Sequence, residues 1–280
     1  MKPYLIFTPD WSNYSAGVVV LHTLAHRLQN LGLEVYLNTA VQNPDWELIP
    51  TINKFDRDRK RMIGVYPEIV DGNPHNCGTV VKYLLHLPGF HGGPKSFPQN
   101  EMLFVHSDLF NQRIKLPQER VLAFPYINTN VFYDMRLCRK YRFYLSRKDN
   151  GVNYPDRRIA DVPSIGTGKE NDGKDGQLLL SERLNKTEVI YCYDNITAMV
   201  DIARLCGCAV VLIPDNFWTE EECKCFNGWG VGGIAYGVEN EDHARETVSA
   251  QAMRQYYTVE FEEKAKAAVS NFIEITQKGN

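Results

Sequence analysis

The run Tyr191-Cys-Tyr-Asp-Asn-Ile-Thr-Ala-Met-Val-Asp-Ile-Ala-Arg-Leu-Cys-Gly-Cys-Ala-Val-Val-Leu-Ile-Pro-Asp215 decides the fold class. Val189 to Cys192 is apolar and β-favouring, while Asp194, Asn195 and Thr197 bring turn and N-cap chemistry. Ala198 to Cys206 keeps helical spacing, and Gly207 stands where a helix end favours a left-handed residue. Ala209 to Ile213 is continuous and branched, as in a strand buried on both faces. The pattern predicts a strand, a helix and a second parallel strand. The helix start then lies at the carboxyl end of a strand, where unpaired N–H groups converge and suit a phosphate.

Outward from this unit the same alternation continues. Upstream, Leu178 to Leu184 reads as a helix and Tyr141 to Leu145 as a strand ending in Ser146-Arg147-Lys148. Two adjacent cations after a strand suit a diphosphate, although such pairs are also common on surfaces. Downstream, the glycine-rich stretch Phe226 to Gly237 reads as a tight loop over a cleft followed by a short strand. Glu241 to Tyr257 reads as helical. A last helix from about Thr258 carries Phe261, Ala265, Ala268, Val269, Phe272 and Ile273 on one face.

The N-terminal half repeats the theme. Tyr4 to Phe7 is a buried strand; Val18, Leu21, Leu24, Ala25, Leu28 and Leu31 keep helical spacing up to Gly32, and Leu33 to Leu37 is the next strand. Ser15, Ala16 and Gly17 form the loop that enters the helix. The dinucleotide fingerprint is absent, so Gly17 either admits a ligand close to the backbone or is a small residue where helix and sheet pack. His22 and His26 lie four apart, but Thr23 stands where a zinc protease has its glutamate and no third ligand is evident. They read as a helix face lining a cleft or solvent.

Met62 to Tyr66 is another strand, and the loop after it carries Glu68, Asp71 and Asn73. These residues offer acid–base or sugar-hydroxyl chemistry, or simply make a turn. Asn76 is expected to cap a helix from Cys77 to Leu87. Met102 to Val105 is a strand ending at His106, and Val121 to Phe124 is expected to be a further one. A linker near 127–137 divides the chain into an N-terminal domain, 1–130, and a C-terminal domain, 131–280, whose last helix packs back toward the first.

Composition limits the partners. The chain has 280 residues, 44% hydrophobic and 23% charged, with a net charge of -3, which gives no reason to bind nucleic acid. No signal peptide or membrane-length apolar run is present in the sequence, so a cytoplasmic location is expected. Seven cysteines are scattered singly or as C-x-C pairs, Cys206/Cys208 and Cys223/Cys225. With strand alternation the latter pair would share a face, and the spacing does not favour structural zinc, so no metal is expected.

Three stretches carry a family resemblance. Tyr14-Ser-Ala-Gly-Val-Val-Val-Leu-His-Thr-Leu-Ala-His-Arg-Leu28 resembles the first loop and helix of bacterial glycosyltransferases that build surface polysaccharides, of the group 1 or GT4-like kind. Val65-Tyr-Pro-Glu-Ile-Val-Asp-Gly-Asn-Pro74 is similar to a recurring segment of those proteins, and Tyr193 to Ala198 followed by Leu205 to Val211 is similar to their donor-binding unit. The resemblance implies a compact GT-B architecture: two Rossmann-like α/β domains facing a central cleft. It also implies a retaining, metal-independent transfer of sugar from a UDP-, GDP- or dTDP-sugar to a glycan or lipid-linked glycan hydroxyl. Peripheral association with the inner face of the membrane fits such an acceptor. No cofactor beyond the nucleotide-sugar co-substrate is implied.

On this resemblance the donor diphosphate and nucleotide are held by Arg147, Lys148, Tyr193, Asp194, Asn195, Ile196, Thr197 and Asp201. Ser15, Ala16 and Gly17 form a cleft loop, and Glu68, Asn73 and His106 contact the acceptor or transferred sugar. The related retaining enzymes have two acids separated by seven residues around the donor helix. Asp194 matches the first, Ile202 occupies the second, and Asp201 comes one residue, or about 100° of helix, early. The same fold also accommodates a nucleotide-sugar epimerase or hydrolase, or a non-catalytic sugar-binding relative.

Overall fold

The computed structural model describes residues 1–52, 57–146, 162–166, 172–215, 217–225 and 228–279. The chain forms two compact α/β units: Met1–Tyr126 with Glu262–Asn280, and Ile127–Phe261. The boundary thus falls at 126/127, and residues from Glu262 onward join the first unit.

In the first unit β1 (Tyr4–Ile6), α1 (Ala16–Asn30), β2 (Val35–Leu37), β3 (Ile63–Pro67), β4 (Thr79–Leu84) and β5 (Met102–Val105) build a sheet of order β2-β1-β3-β4-β5. All its pairings are parallel. The order reverses between β1 and β3, the place where open α/β sheets bind ligands beyond their strand ends. A short helix, α2 (Asp108–Ile114), follows β5.

Alternation along the strands separates two faces. Tyr4, Ile6, Ile63, Val65, Val81, Tyr83, Met102 and Phe104 share one core with Leu21, Leu24 and Leu28 of α1. Ala265, Val269 and Phe272 of the last helix join the same core. The opposite face carries a smaller cluster of Leu5, Ile52, Met62 and Cys77.

Three readings of the sequence are corrected here. The segment expected to be a helix from Cys77 to Leu87 contains β4 instead. Asn76 sits at φ 54°, not in the extended conformation of an N-cap, and Val80-Val81-Lys82-Tyr83 is a run that favours strand. Val121 to Phe124 makes a single parallel bridge, Val121 to Val105, and is not a full strand. Pro125 immediately follows, and the Leu122 carbonyl accepts the Tyr83 hydroxyl at 2.6 Å. Cys223 ends a one-turn helix closed by a Thr219/Glu222 capping box, so strand alternation does not apply to Cys223 and Cys225.

The second unit holds β6 (Tyr141–Leu145), α3 (Gly173–Asn185), β7 (Thr187–Cys192), α4 (Met199–Leu205), β8 (Ala209–Leu212), α5 (Glu220–Cys223) and β9 (Ile234–Tyr236). Its strands are parallel in the order β6-β7-β8-β9. The opening motif is therefore β7–α4–β8, with Gly207 at φ 75° after the helix as its position required. Helices α6 (Glu241–Thr247) and α7 (Ala250–Gln255) follow. The expected single helix from Glu241 to Tyr257 is broken at Val248, which is extended, and Ser249 caps the new helix by accepting from Ala252 N–H at 3.2 Å. The Thr247 hydroxyl is spent on His243 O and Gly233 N–H, which ties the break to the glycine loop.

A π-helical turn, Tyr256–Glu260, leads into α8 (Phe261–Lys278). Among the described residues no helix is long and apolar enough to cross a membrane.

Candidate functional site

The candidate residues collect at the carboxyl edges of the two sheets. In the first unit the loop after β1 is pinned by Asn38 Oδ1, which accepts from Thr8 N–H at 2.6 Å, and by the Thr39 hydroxyl on Asp10. Ser15 then caps α1. A Cβ on Gly17 would meet Leu85 Cδ1 at 3.3 Å, so Gly17 and Leu85 pack closely. Ser15, Ala16 and Gly17 are thus the first turn of α1, set against the end of β4.

Glu68 and His106 flank one peptide group. Glu68 is buried, and its Oε2 accepts from Leu85 N–H at 2.9 Å. His106 N–H donates to Leu84 O at 2.9 Å. The His106 ring lies among Tyr83, Phe124 and Tyr126. Its Nδ1 is 2.7 Å from the Tyr83 hydroxyl. That hydroxyl has one proton and gives it to Leu122 O, so we assign the proton of the His106 contact to Nδ1. Burial lowers the His106 pKa to about 4, partly opposed by the Leu122 carbonyl, so the ring is neutral near pH 7.

Asn73 closes its loop. Its Oδ1 accepts from the Tyr66 hydroxyl and from Cys77 N–H, each at 2.9 Å, and its Nδ2 donates to Cys77 O at 2.8 Å. Lys82, a residue the sequence reading did not single out, holds the other side. It is fully buried on β4, and its ammonium donates to Val70 O at 2.8 Å and Gly72 O at 2.7 Å. Glu101 lies 3.9 Å away, and burial lowers the lysine pKa. A lone charge inside the apolar run Val80 to Leu85 was the available signal. Nearby, His86 stacks on Phe90 at 3.8 Å, in contact with His91 and Phe110.

His22 and His26 do not form the open face expected. His22 is fully buried, edge-on to Trp11, and His26 packs on Trp46. Burial lowers both pKa values. No group of three or more potential metal ligands occurs among the described residues.

In the second unit Tyr193 extends the sheet, its N–H donating to Leu145 O at 2.9 Å. Asp194, Asn195, Ile196 and Thr197 follow as one loop into α4; Asp194 and Asn195 are buried and the other two are part-exposed. Asn195 is only 2% exposed, and neither its Oδ1 nor its Nδ2 has a hydrogen-bond partner among the described residues. Arg147 and Lys148 lie outside the described residues.

Asp201 turns inward. Its carboxylate is 3.4 Å from Arg204 Nη1, and Arg204 also donates to Gly232 O at 2.9 Å and to Gly228 O. Burial raises the Asp201 pKa to about 6 despite the guanidinium. This cluster anchors the glycine loop, where Cβ atoms at Gly228 and Gly232 would meet Tyr256 and Thr247. Ile202 is part-exposed.

Comparison with solved structures bears on the fold. AviGT4, a glycosyltransferase involved in avilamycin A biosynthesis, superposes with a TM-score of 0.51 at 13% identity, covering 99% of this chain and 96% of its own. The fold is the GT-B one. Sucrose-phosphate synthase from Thermosynechococcus elongatus aligns at a TM-score of 0.48 and 10% identity, covering 99% of this chain and 95% of its own. No protein-family model and no curated protein matches the chain by sequence.

Proposed function

We propose that the chain is a glycosyltransferase that moves a sugar from a nucleoside-diphosphate sugar to an acceptor hydroxyl in glycan or polysaccharide synthesis. The observation that carries this reading is the fold shared with AviGT4, with polar candidates collected at the carboxyl edges of two parallel sheets. On this reading the loop Tyr193–Thr197 of the second unit holds the donor, with Arg147 and Lys148 neutralising its diphosphate. The first unit holds the acceptor near the first turn of α1, Glu68 and His106.

The proposed reaction is retaining and needs no metal, because cations and backbone N–H groups stabilise the leaving diphosphate. His106, neutral with its proton assigned to Nδ1, offers Nε2 as an acceptor for a hydroxyl proton. Glu68 and Asn73 already spend hydrogen bonds on backbone and act chiefly by shaping this edge. The acceptor is a glycan, free or lipid-linked, and in the latter case the protein works at the inner membrane face.

Calorimetric titration with UDP, GDP, dTDP and their sugars tests the donor, with binding to at least one expected. Absence of binding to all of them would overturn the reading. Turnover unchanged by EDTA is the expected result for the metal-independent route. A second reading, a non-catalytic sugar-binding protein of this fold, is favoured by Ile202 at the second acid position and by Asp201 being paired to Arg204. Donor binding without transfer or hydrolysis would select it.

A further inference from the structure

Among the described residues the strongest unexplained polar group is the Asn195 carboxamide, both of whose polar atoms are buried without a partner. It offers two donors and two lone pairs, and burial without using any of them is costly. Apolar side chains would fill the same space with no such cost. Native structures pair nearly all buried polar atoms, so an amide left unpaired at a strand's carboxyl end calls for a partner from outside. Asn195 stands there, three residues beyond the last residue of β7, an inner strand of a parallel sheet.

We infer that Asn195 is a specificity-determining residue whose amide is satisfied by the bound donor, through a ligand group that both donates and accepts a hydrogen bond. This rests on the donor assignment above. A phosphate only accepts, so it would satisfy Nδ2 and leave Oδ1 unpaired. Three groups in a nucleotide sugar meet both atoms: neighbouring hydroxyls of the transferred sugar, neighbouring hydroxyls of the ribose, and the edge of a base that carries a ring N–H beside a carbonyl. Two neighbouring loop groups are already engaged. The Asp194 carbonyl takes the Cys192 thiol, and the Thr197 hydroxyl accepts from Met199 N–H at 3.4 Å.

The test compares wild type with Asn195→Leu in the full chain. Without ligand, Asn195→Leu is expected to unfold in urea at a midpoint equal to or above wild type, since an unpaired amide is replaced by an apolar side chain. A clearly lower midpoint would show that the amide is paired in the unliganded protein and would overturn the inference. In calorimetry, affinity for the nucleotide sugar that wild type binds is expected to fall about tenfold or more in Asn195→Leu.

The matching nucleoside diphosphate separates the transferred sugar from the nucleoside. Loss confined to the nucleotide sugar assigns Asn195 to the hydroxyls of the transferred sugar, and loss shared with the nucleoside diphosphate but not with inorganic pyrophosphate assigns it to the nucleoside, through its ribose or its base. Affinities within twofold of wild type, or an equal loss against pyrophosphate, would overturn the inference while leaving the donor assignment standing. If wild type binds no nucleotide at all, the donor assignment falls and takes this inference with it.

Discussion

The two sheet edges are built from similar parts and treat their polar groups differently. At the edge of the first sheet, Glu68, Asn73, His106 and Lys82 are each bonded to backbone or to a neighbouring side chain. At the edge of the second, Asp201 is drawn inward by Arg204 while Asn195, six residues earlier in the loop before α4, is buried with its amide unpaired among the described residues. Glu68, Lys82, Asp201 and Asn195 are alike in burial and differ in pairing. A buried group that already has its partners shapes the edge, and on the reading proposed above the unpaired Asn195 amide is left for the donor.

The largest effect is expected where that contrast is sharpest. Arg204→Leu leaves the Asp201 carboxylate and the Gly228 and Gly232 carbonyls without their donor, and should cost about 3–5 kcal/mol in urea unfolding. Asp201→Leu added to it should recover part of the loss, because the stranded charge is removed with its partner. A double variant no more stable than Arg204→Leu would show that the glycine loop, and not the ion pair, carries the energy.

Acid titration should pull the two edges in opposite directions. The His106 pKa is about 4 in the folded state against 6.5 for the free group, so the unfolded chain binds more protons between these values. Stability from this group is complete above pH 6.5 and is lost as pH falls toward 4, by on the order of 2–3 kcal/mol. Asp201 has the reverse sign. Raised to about 6 from 3.8, it favours the folded state at low pH and loses that contribution as pH rises through 6. Urea midpoints from pH 4 to 7 for His106→Phe and Asp201→Asn should remove the two slopes separately. Parallel curves for both variants and wild type would rule out the assignment.

Lys82→Met should cost about 2 kcal/mol, because the Val70 and Gly72 carbonyls lose their buried donor. Faster hydrogen exchange confined to residues 68–78 would locate the damage in the loop. The smallest stability effect belongs to Glu68→Gln. Its amide oxygen can still accept from Leu85 N–H, so the change should stay below about 1 kcal/mol. A fall in turnover of about a hundredfold with stability intact would give Glu68 a chemical role beyond holding the peptide.

What was legible in the sequence follows from how local the cause is. The β7–α4–β8 unit could be read because its turn residues, helical spacing and Gly207 all act within 25 residues of chain. The strand at Thr79–Leu84 was misread because the connection from β3 has no helix, and Asn76 imitates a cap while sitting at positive φ. Thr247-Val248-Ser249 broke an expected helix through bonds to Gly233, a partner 14 residues away. Among the site residues, the positions at strand ends were legible, since parallel sheets place their loops there. Which of them are already paired was not: Asn73, Glu68 and Asp201 depend on partners that only folding brings near. Lys82 stood out as one charge within an apolar run, but its stretch was expected to be a helix and its carbonyl partners come from the preceding loop.

The return of Glu262–Asn280 to the first unit has a consequence for the order of assembly. Tyr4 stacks on Phe272 and shares a 2.7 Å hydrogen bond with Thr276, and Lys2 meets Gln277 through both its N–H and its carbonyl. The second unit is thus an insertion within the first. During vectorial synthesis all of its residues, Ile127–Phe261, leave the ribosome before the first unit has its last helix. The half that is begun first is completed last. Until then, Tyr4 and Phe104 lack the Phe272 ring that later packs against both of them.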